Sequence, residues 1–325
     1  MFKNFRFKSK FVYKNKLAFF LKELSLPSKI NIIDIGARSG LNKPYSYISE
    51  NYYNIIGFEP DKNEFLKLIK KYKSRQYFNT AIFDKKKNSL FYLLDDKPAS
   101  SLYEPNPLLG KKFENQHFEK RKVHKIFKIQ TNKLDNFKNK ITKLDFLKID
   151  TQGSEFDILK GSSYFLKKYS PLILVETWSD EVYLKSKKFF DISKLLDKYG
   201  YRAIKIEDAA NWRYKNNLAF SDFDQPIRIG YEILFVKNTE LLFKRNFEDI
   251  LNLGILLDLL GFKNFCYYLI KNHPKPNYKL QKIYLKKIIE LNKKDLIFSK
   301  GVRRIFLKIL IKLKLMDVIN FPLHT

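Results

Sequence analysis

Short apolar runs alternate with amphipathic segments along residues 30–237. The apolar runs that read as strands lie at 31–35, 54–59, 77–83, 89–94, 126–130, 144–150, 171–177, 201–206 and 231–237. Segments with helical spacing lie at about 11–25, 61–73, 154–168 and 189–199. Apolar strands that alternate with amphipathic helices predict an α/β fold, in which a mostly parallel sheet carries helices on both faces.

Beyond residue 239 the pattern changes, and helical spacing dominates to the end of the chain. Helices are predicted at 241–253, 255–271, 279–291 and 301–319. We therefore divide the chain into a basic N-terminal helical segment at 1–28, an α/β domain at 29–238 and a basic α-helical extension at 239–325. Within the α/β domain, 95–125 and 207–226 lack a regular pattern. Long irregular segments in a compact domain are typical of lids and binding loops.

Positive charge is concentrated at the two ends of the chain. Lys and Arg number 63 against 34 Asp and Glu, which gives a formal net charge of +29. Residues 1–29 carry 8 basic and 1 acidic side chains, and residues 240–325 carry 17 and 7. Such a charge is compatible with nucleic acid, an anionic membrane or acidic substrates, and equally with a compositional bias toward lysine. Its placement favours docking segments over a basic active site.

The location of the protein is predicted from what the sequence lacks. Neither a signal peptide nor a run of about 18 uncharged apolar residues is apparent. The single Cys266 cannot form an intrachain disulfide. We expect a cytoplasmic protein. Apolar positions in 302–316 form one stripe beside basic residues, which predicts either a helix at an anionic inner membrane surface or a helix that packs on protein. The oligomeric state stays open.

Acidic residues end three of the predicted strands. Asp34 is followed by a turn that contains Gly36 and Gly40, Glu59 ends the next strand, and Asp150 ends the strand at 144–150. In open α/β sheets, ligands bind in the crevice outside the carboxyl ends of the strands. These acids are therefore expected to converge on one crevice. An acid after the second strand suits the hydroxyls of a ribose, so the pattern predicts an adenosine-like ligand.

Several motifs together resemble the FkbM family of S-adenosylmethionine-dependent methyltransferases. They are the turn at 34–40, Gly57-Phe58-Glu59-Pro60, Thr80-Ala81, Ala99-Ser100-Ser101-Leu102, the block 146–155, Ile158-Leu159-Lys160-Gly161 and the late strand 231–237. The resemblance covers about residues 29–238. The family often has Asn at the position of Arg38 and Glu at the position of Gln152.

The resemblance implies a class I methyltransferase fold, with a seven-stranded Rossmann-like sheet whose last strand is antiparallel. It also implies S-adenosylmethionine as cofactor. Cofactor-binding residues carried over from the motifs are Asp34, Gly36, Ala37, Arg38, Gly40, Glu59, Pro60, Thr80, Ala81 and Asp150. Among these, Glu59 would hold the ribose hydroxyls, Thr80 and Ala81 would lie near the adenine, and Asp150 would lie beside the sulfonium.

The side that binds the methyl acceptor is predicted from four further positions. Ser100, Ser101, Glu176 and Trp178 are the expected substrate residues. A hydroxyl acceptor needs a proton acceptor, for which Asp150 and Glu155 are the candidates. The alternatives are that Asp150 caps a helix and that Glu155 is an acid favoured at a helix start. Asp150 and Glu176 could also bind a divalent cation, but two carboxylates are few for such a site, and no metal is predicted.

These expectations lead to an O-methyltransferase whose acceptor is a hydroxyl of a sugar, polysaccharide or glycolipid precursor. Two alternatives remain at this point. An RNA methyltransferase would use the basic termini for phosphate contacts, but the sequence disfavours nucleic acid because it has no RNA-binding module or base-methylation signature. A methyltransferase-like adaptor without activity would bind a partner through the helical C-terminal extension.

Overall fold

The computed structural model describes residues 28–41, 50–114, 118–215 and 225–290. The strands are β1 Ile30–Ile35, β2 Tyr53–Phe58, β3 Gln76–Phe78, β4 Ala81–Ile82, β5 Asn88–Leu94, β6 Val123–Asn132, β7 Phe146–Ile149, β8 Leu172–Trp178, β9 Tyr201–Trp212 and β10 Ile227–Lys237. The helices are α1 Lys62–Lys71, α2 Pro107–Lys112, α3 Glu155–Lys160, α4 Ser163–Lys168, α5 Phe189–Asp197, α6 Thr239–Leu242, α7 Phe247–Leu259, α8 Lys263–Lys271 and α9 at 278–290. The predicted helices at 11–25 and 301–319, with the stripe at 302–316, lie outside the described residues.

One seven-stranded sheet organises the fold, in the order β3-β2-β1-β7-β8-β10-β9. The pairs β1–β2, β1–β7, β2–β3 and β7–β8 are parallel, whereas β10 runs antiparallel to both β8 and β9. This confirms the predicted class I methyltransferase sheet, including its antiparallel last strand. The order reverses between β1 and β7, so a crevice opens there at the carboxyl ends of the strands.

Helices cover both faces of this sheet, as predicted. Successive residues of β1 point to opposite faces, so Ile30 and Ile32 join one apolar core and Ile33 and Ile35 join the other. The second core packs against α3, α4 and α5. The first core packs against α7, α8 and α9, so the C-terminal helices form one of the two helical layers. The predicted division at residue 239 stays a prediction, although the two segments share this core.

Two predicted strands and part of a third lie apart from the main sheet, in contrast to the simple alternation expected. The run 77–83 divides into β3, which joins the main sheet, and β4, which pairs with β6. The runs 89–94 and 126–130 form β5 and β6, an antiparallel pair. The predicted helix 154–168 is likewise two helices. A Cβ at Gly161, between them, would lie 2.1 Å from the carbonyl oxygen of Phe83, so the backbones approach closely there.

The two segments predicted as loops contain more regular structure than expected. The segment 95–125 includes α2 and the first residues of β6, and the segment 207–226 begins with the last half of β9. Trp212 therefore ends a strand and is buried. Among the described residues, no helix combines the length and the apolar character that crossing a membrane requires.

Candidate active site

A crevice opens at the carboxyl edge of the sheet, where β1, β2 and β7 end. It encloses about 920 Å³ of empty space, including its open mouth. The predicted residues that line it are Gly36, Arg38, Glu59, Pro60, Thr80, Ala81, Ser100 and Asp150. The crevice thus brings together eight of the predicted residues from five separate segments of the chain.

The turn after β1 is built so that backbone lines the crevice. Gly36 has a φ of +82°, which is a left-handed conformation that glycine adopts without strain. A Cβ at Gly36 would lie 1.9 Å from the carbonyl oxygen of Asp150. The amides of Gly36 and Ala37 both donate to the carbonyl of Phe58 at 3.1 Å, which ties the turn to the end of β2. Ala37 is buried behind the turn and does not line the crevice.

Glu59 lies at the end of β2 within a cluster of charges. It is 3% exposed, and burial raises its pKa to about 7 even though Arg38 acts in the opposite direction. Its Oε1 accepts from the Asp61 amide at 2.9 Å and lies 3.9 Å from Nη2 of Arg38. The Arg38 guanidinium also pairs with Asp61 at 2.7 Å and with Glu64 at 3.6 Å. Arg38 therefore fixes the acids around the start of α1.

Lys148 is the main residue of the crevice to which the sequence assigned no role. Its Nζ lies 3.3 Å from Asp34 Oδ1 and 3.4 Å from Asp150 Oδ2, and the ammonium is buried. Burial opposes its charge, but the two carboxylates raise its pKa above the ordinary value. Asp34 is 1% exposed and does not line the crevice. The structure thus places Asp34 behind Lys148, as the buried partner of this ammonium.

The turn between β7 and α3 is held by Glu155, which was a candidate proton acceptor. The Glu155 carboxylate is fully buried. It accepts from the amides of Thr151 at 3.0 Å and Gly153 at 2.9 Å, and from the Thr151 hydroxyl at 2.9 Å. Burial raises its pKa to about 7. Its oxygens are occupied by these donors and lie away from the crevice, so the geometry gives Glu155 a structural role in the turn instead of contact with an acceptor.

Gln152 connects the two remaining acids of the site. It has a φ of +60°, and its Nε2 donates to Asp150 Oδ1 at 3.1 Å and to Glu176 Oε1 at 2.9 Å. Its Oε1 accepts from the Tyr183 hydroxyl at 3.1 Å, and its carbonyl accepts from the Ser101 hydroxyl at 2.7 Å. Burial, followed by the charge of Asp150, raises the pKa of Glu176 to about 8. Gln152 thus joins the cofactor crevice to the end of β8.

The other predicted substrate residues differ in their surroundings. Ser100 lines the crevice, and its Oγ accepts from the Leu94 amide at 3.1 Å. Ser101 is buried and supports Gln152. Trp178 is 2% exposed and belongs to an aromatic cluster next to Glu176. The further members of this cluster include Phe113, Tyr183 and Trp212, and the guanidinium of Arg121 lies over the rings of Trp178 and Trp212.

Two predicted residues lie away from the acids. Thr80 and Ala81 line the crevice beyond Glu59, together with the apolar side chains of Ile82 and Phe91. Gly40 does not line the crevice; it has a φ of +83°, and a Cβ there would lie 2.8 Å from the ring of Tyr72.

Over the part of the chain that the structure describes, no group of three or more His, Cys, Asp or Glu side chains is placed to hold a metal ion.

The donor set of the crevice fits S-adenosylmethionine. A glycine turn leaves room where a Cβ would meet the backbone of Asp150, the buried carboxylate of Glu59 lines the crevice, and the apolar side chains of Ile82 and Phe91 line it further on. Asp150 places negative charge in the same crevice, which suits a cationic sulfonium. Of the three acids predicted at strand ends, Glu59 and Asp150 line the crevice, whereas Asp34 lies behind Lys148.

Comparison with known proteins gives the family. A family model described as the methyltransferase FkbM domain matches residues 34–203, which is just over half of the chain. No match is found among curated proteins. The chain is similar to a solved FkbM methyltransferase from Methylobacillus flagellatus, with 14% identity, a TM-score of 0.37 and coverage of 69% of this chain and 47% of that one. The chain thus spans about half of the length of that relative.

A second solved structure is magnesium protoporphyrin IX methyltransferase from Synechocystis, which contains bound S-adenosylmethionine. It is 9% identical over 71% of this chain and 80% of its own length, with a TM-score of 0.34. Because both TM-scores are below 0.5, the assignment depends on the family match and on the sheet order. By these two observations, the chain belongs to the FkbM methyltransferase domain family.

Proposed function

We propose that this enzyme methylates a hydroxyl oxygen of a sugar, polysaccharide or glycolipid precursor. The cofactor would lie along the crevice, with its amino-acid part against the turn at Gly36, its ribose at Glu59 and its adenine between Thr80 and Ala81. When bound, S-adenosylmethionine supplies an electrophilic methyl group. The residues of the chain then have to hold the acceptor in line and remove its proton.

The observation that carries this proposal is the bridge from Asp150 through Gln152 to Glu176. Asp150 lines the crevice, and Glu176, two residues before the end of β8 and outside the crevice lining, is joined to it through Gln152. An acceptor held at this bridge would lie next to the methyl donor. A general base is most efficient when its pKa is close to the working pH. The pKa of Glu176 is raised to about 8 and meets that condition. Glu176 therefore replaces Glu155 as the favoured base.

The proton transfer follows from these positions. The acceptor hydroxyl would lose its proton as its oxygen takes the methyl group, and the Glu176 carboxylate would receive that proton. Gln152 holds the receiving carboxylate through its amide, and Tyr183 orients Gln152 from the other side. In this arrangement Gln152 and Tyr183 are positioning residues.

The chemistry around Glu176 favours a neutral, hydroxyl-rich acceptor. Carboxylates accept hydrogen bonds from hydroxyls, and a side-chain amide both donates and accepts them. A sugar presents several hydroxyls that these groups can bind at once. The bridge from Asp150 through Gln152 to Glu176 contains no cation that would contact a phosphate of RNA, so it supports the sugar hydroxyl over the RNA alternative.

The test is methyl transfer to a panel of sugars, oligosaccharides and glycolipids, with S-adenosylhomocysteine formation and mass spectrometry as readouts. We expect Glu176→Gln to lower kcat by about 10²–10⁴-fold, with little change in cofactor affinity. Asp157→Asn is the matched control, because Asp157 is a half-buried acid that accepts from the Tyr103 hydroxyl and takes no part in the bridge from Asp150 through Gln152 to Glu176. Methylation of nitrogen or of RNA alone, or full activity in Glu176→Gln, would overturn the proposal.

A further inference from the structure

A second cavity lies at the amino edge of the main sheet, opposite the cofactor crevice. Lys237 ends β10 and pairs with Tyr201, the first residue of β9. Since β10 runs antiparallel to β8, its last residue lies at the edge where the parallel strands begin. The cavity encloses about 510 Å³ of empty space, including its open mouth. It is lined by the end of α4, the residues before β8, Lys237 and the segment from α6 to α7.

The walls of this amino-edge pocket are strongly basic. Five of its lining residues are cations, and a single acid, Asp249, is among the rest. The cations are Lys167, Lys168, Lys237, Lys244 and Arg245. They come from three separate parts of the chain and lie close together only in the folded protein. The cluster is therefore not visible in the sequence. In a concave site with low-dielectric walls, charges of one sign focus the field on the cavity.

Lys237 is the unusual member, because it is buried without an acidic partner. It is 6% exposed, and its Nζ donates to the carbonyl oxygen of Leu166 at 2.8 Å. Its ammonium also lies 5.3 Å from the centre of the Tyr201 ring. Burial, together with the nearby charge of Arg245, lowers the pKa of Lys237. A buried ammonium beside another cation is unfavourable unless an anion lies near it.

The acids nearby do not neutralise this charge. Arg245 pairs with the buried Asp145 at 3.0 Å and donates to the Ser170 carbonyl at 3.3 Å, but its Nε is buried without a hydrogen-bond partner. Asp249 lies 3.9 Å from Lys143, a lysine outside the pocket. Within the described ranges, no carboxylate lies within 4 Å of the ammonium of any of the four pocket lysines. The pocket therefore carries an excess of positive charge.

We propose that the amino-edge pocket binds a phosphate group, carried either by a soluble phosphorylated molecule or by the headgroup of a lipid. Phosphate offers several strong acceptor oxygens and the negative charge that this concave set of ammonium and guanidinium groups lacks. The pocket is distinct from the methyltransferase site and shares no lining residue with the crevice. Phosphate binding at the amino-edge pocket is therefore independent of which molecule accepts the methyl group.

Binding would be measured on the full chain with inorganic phosphate and pyrophosphate by calorimetry, against chloride at the same ionic strength. Flotation with phosphatidylcholine vesicles, with and without phosphatidic acid, tests the lipid source. The main variant is Lys168→Gln with Lys244→Gln, since both side chains are exposed and their replacement spares the core. Lys237→Met is the second variant. Lys86→Gln with Lys194→Gln removes the same charge elsewhere on the surface and is the control.

We expect the double pocket variant to weaken phosphate or pyrophosphate binding about tenfold or more, and the control to leave it unchanged. Flotation that depends on phosphatidic acid and is lost in the pocket variant would identify a headgroup. Binding of the free anions without flotation would identify a soluble ligand. The proposal fails if phosphate binds no better than chloride and vesicles do not float the protein, or if the control variant weakens binding as much as the pocket variant.

Discussion

The two edges of the main sheet carry opposite charge around similar buried ion pairs. At the carboxyl edge, Lys148 lies between Asp34 and Asp150, so one cation faces two acids. At the amino edge, Arg245 pairs with Asp145 and lies beside Lys237, so one acid faces two cations. The first cluster has an excess of acid, and the second has an excess of base.

The net charge of a chain therefore does not predict which charged residues line its active site. The sequence has a formal charge of +29, yet the crevice for the cationic cofactor includes two acids, Glu59 and Asp150, among the cations Arg38, Lys97 and Lys148. The positions of these two acids, at the ends of β2 and β7, follow from the sheet. The site of binding is therefore set by placement of charges, and the sum of charges affects association and solubility.

The largest effect is expected from Lys148→Met, which removes the buried ammonium of the carboxyl edge. Removing the ammonium leaves the buried Asp34 without its cation, and the loss of one partner of a buried pair costs about 3–5 kcal/mol. We expect the free energy of unfolding, measured by urea denaturation, to fall by about that amount. Lys205→Met is the control, because its pair with Glu207 at 2.8 Å is exposed and such pairs are worth about 0–1 kcal/mol. A loss in Lys148→Met no larger than in the control would show that the two edges are not electrostatically different.

The next largest effect is expected from Gly36→Ala, which changes the shape of the carboxyl edge without changing its charge. The added Cβ would lie 1.9 Å from the Asp150 carbonyl, so the turn or β7 must shift. A displacement of about 1 Å in a site can cost about 100-fold, and we expect this loss in affinity for S-adenosylhomocysteine, measured by calorimetry. Gly200→Ala is the control, because Gly200 also has a positive φ, of +76°, and lies at the amino edge.

If Gly36→Ala binds as well as the wild type while remaining folded, the cofactor does not approach this turn. If Gly200→Ala loses affinity equally, the effect is general strain. Circular dichroism and thermal melting of both variants distinguish these results from unfolding. The pair of variants therefore tests whether the cofactor approaches the turn after β1.

A pH series tests the charge of Glu59, for which burial raises the pKa from 4.5 to about 7. The folded state binds this proton more tightly than the unfolded chain, so stability of the free enzyme falls as pH rises from 4.5 through 7. Under the proposed function, cofactor binding has the opposite sign, because the ionised Glu59 carboxylate would accept both ribose hydroxyls. We expect affinity to increase about tenfold from pH 6 to pH 8, where the ionised fraction rises from about one tenth to nine tenths.

Glu59→Gln should abolish most of this pH dependence, because the amide does not titrate in this range. The same series with Glu176→Gln is the control, as Glu176 titrates nearby but is proposed to face the acceptor. Equal pH dependence in wild type and Glu59→Gln would assign the titrating group elsewhere. The ribose role of Glu59 would then be withdrawn.

The residues of the carboxyl edge were largely predictable from the sequence, because the ends of parallel strands lie at one edge of the sheet. Buried strands have a recognisable apolar pattern, and the residue at the end of each parallel strand must face the crevice. Asp150 and Glu59 were found in this way, and both line the crevice. Glu155 follows the same rule in sequence but is turned inward by the positive φ of Gln152 and Gly153, which a pattern of residue types does not display.

Lys148 shows why other parts of the site escaped prediction. In the sequence it interrupts an apolar strand and would be expected to point to solvent, yet it is buried because two acids from different strands meet its ammonium. Its role is visible only when β1 and β7 are paired. The same is true of the amino-edge pocket, whose lysines are ordinary surface residues in the sequence. One signal was available, since a lysine between apolar residues in a buried strand requires an acid nearby.

The smallest predicted effect concerns the empty amino-edge pocket. Like charges around a concave site repel one another, so Lys168→Gln with Lys244→Gln should stabilise the ligand-free protein slightly, opposite to the effect of Lys148→Met at the other edge. We expect the melting temperature to rise by about 1–2 °C at low salt. The gain should disappear near 1 M salt, where the Debye length is about 3 Å. Lys86→Gln with Lys194→Gln should produce a smaller change. A lower melting temperature in the pocket variant would mean that these lysines stabilise the fold by contacts of their own, and the amino edge would then be balanced in charge without an anion.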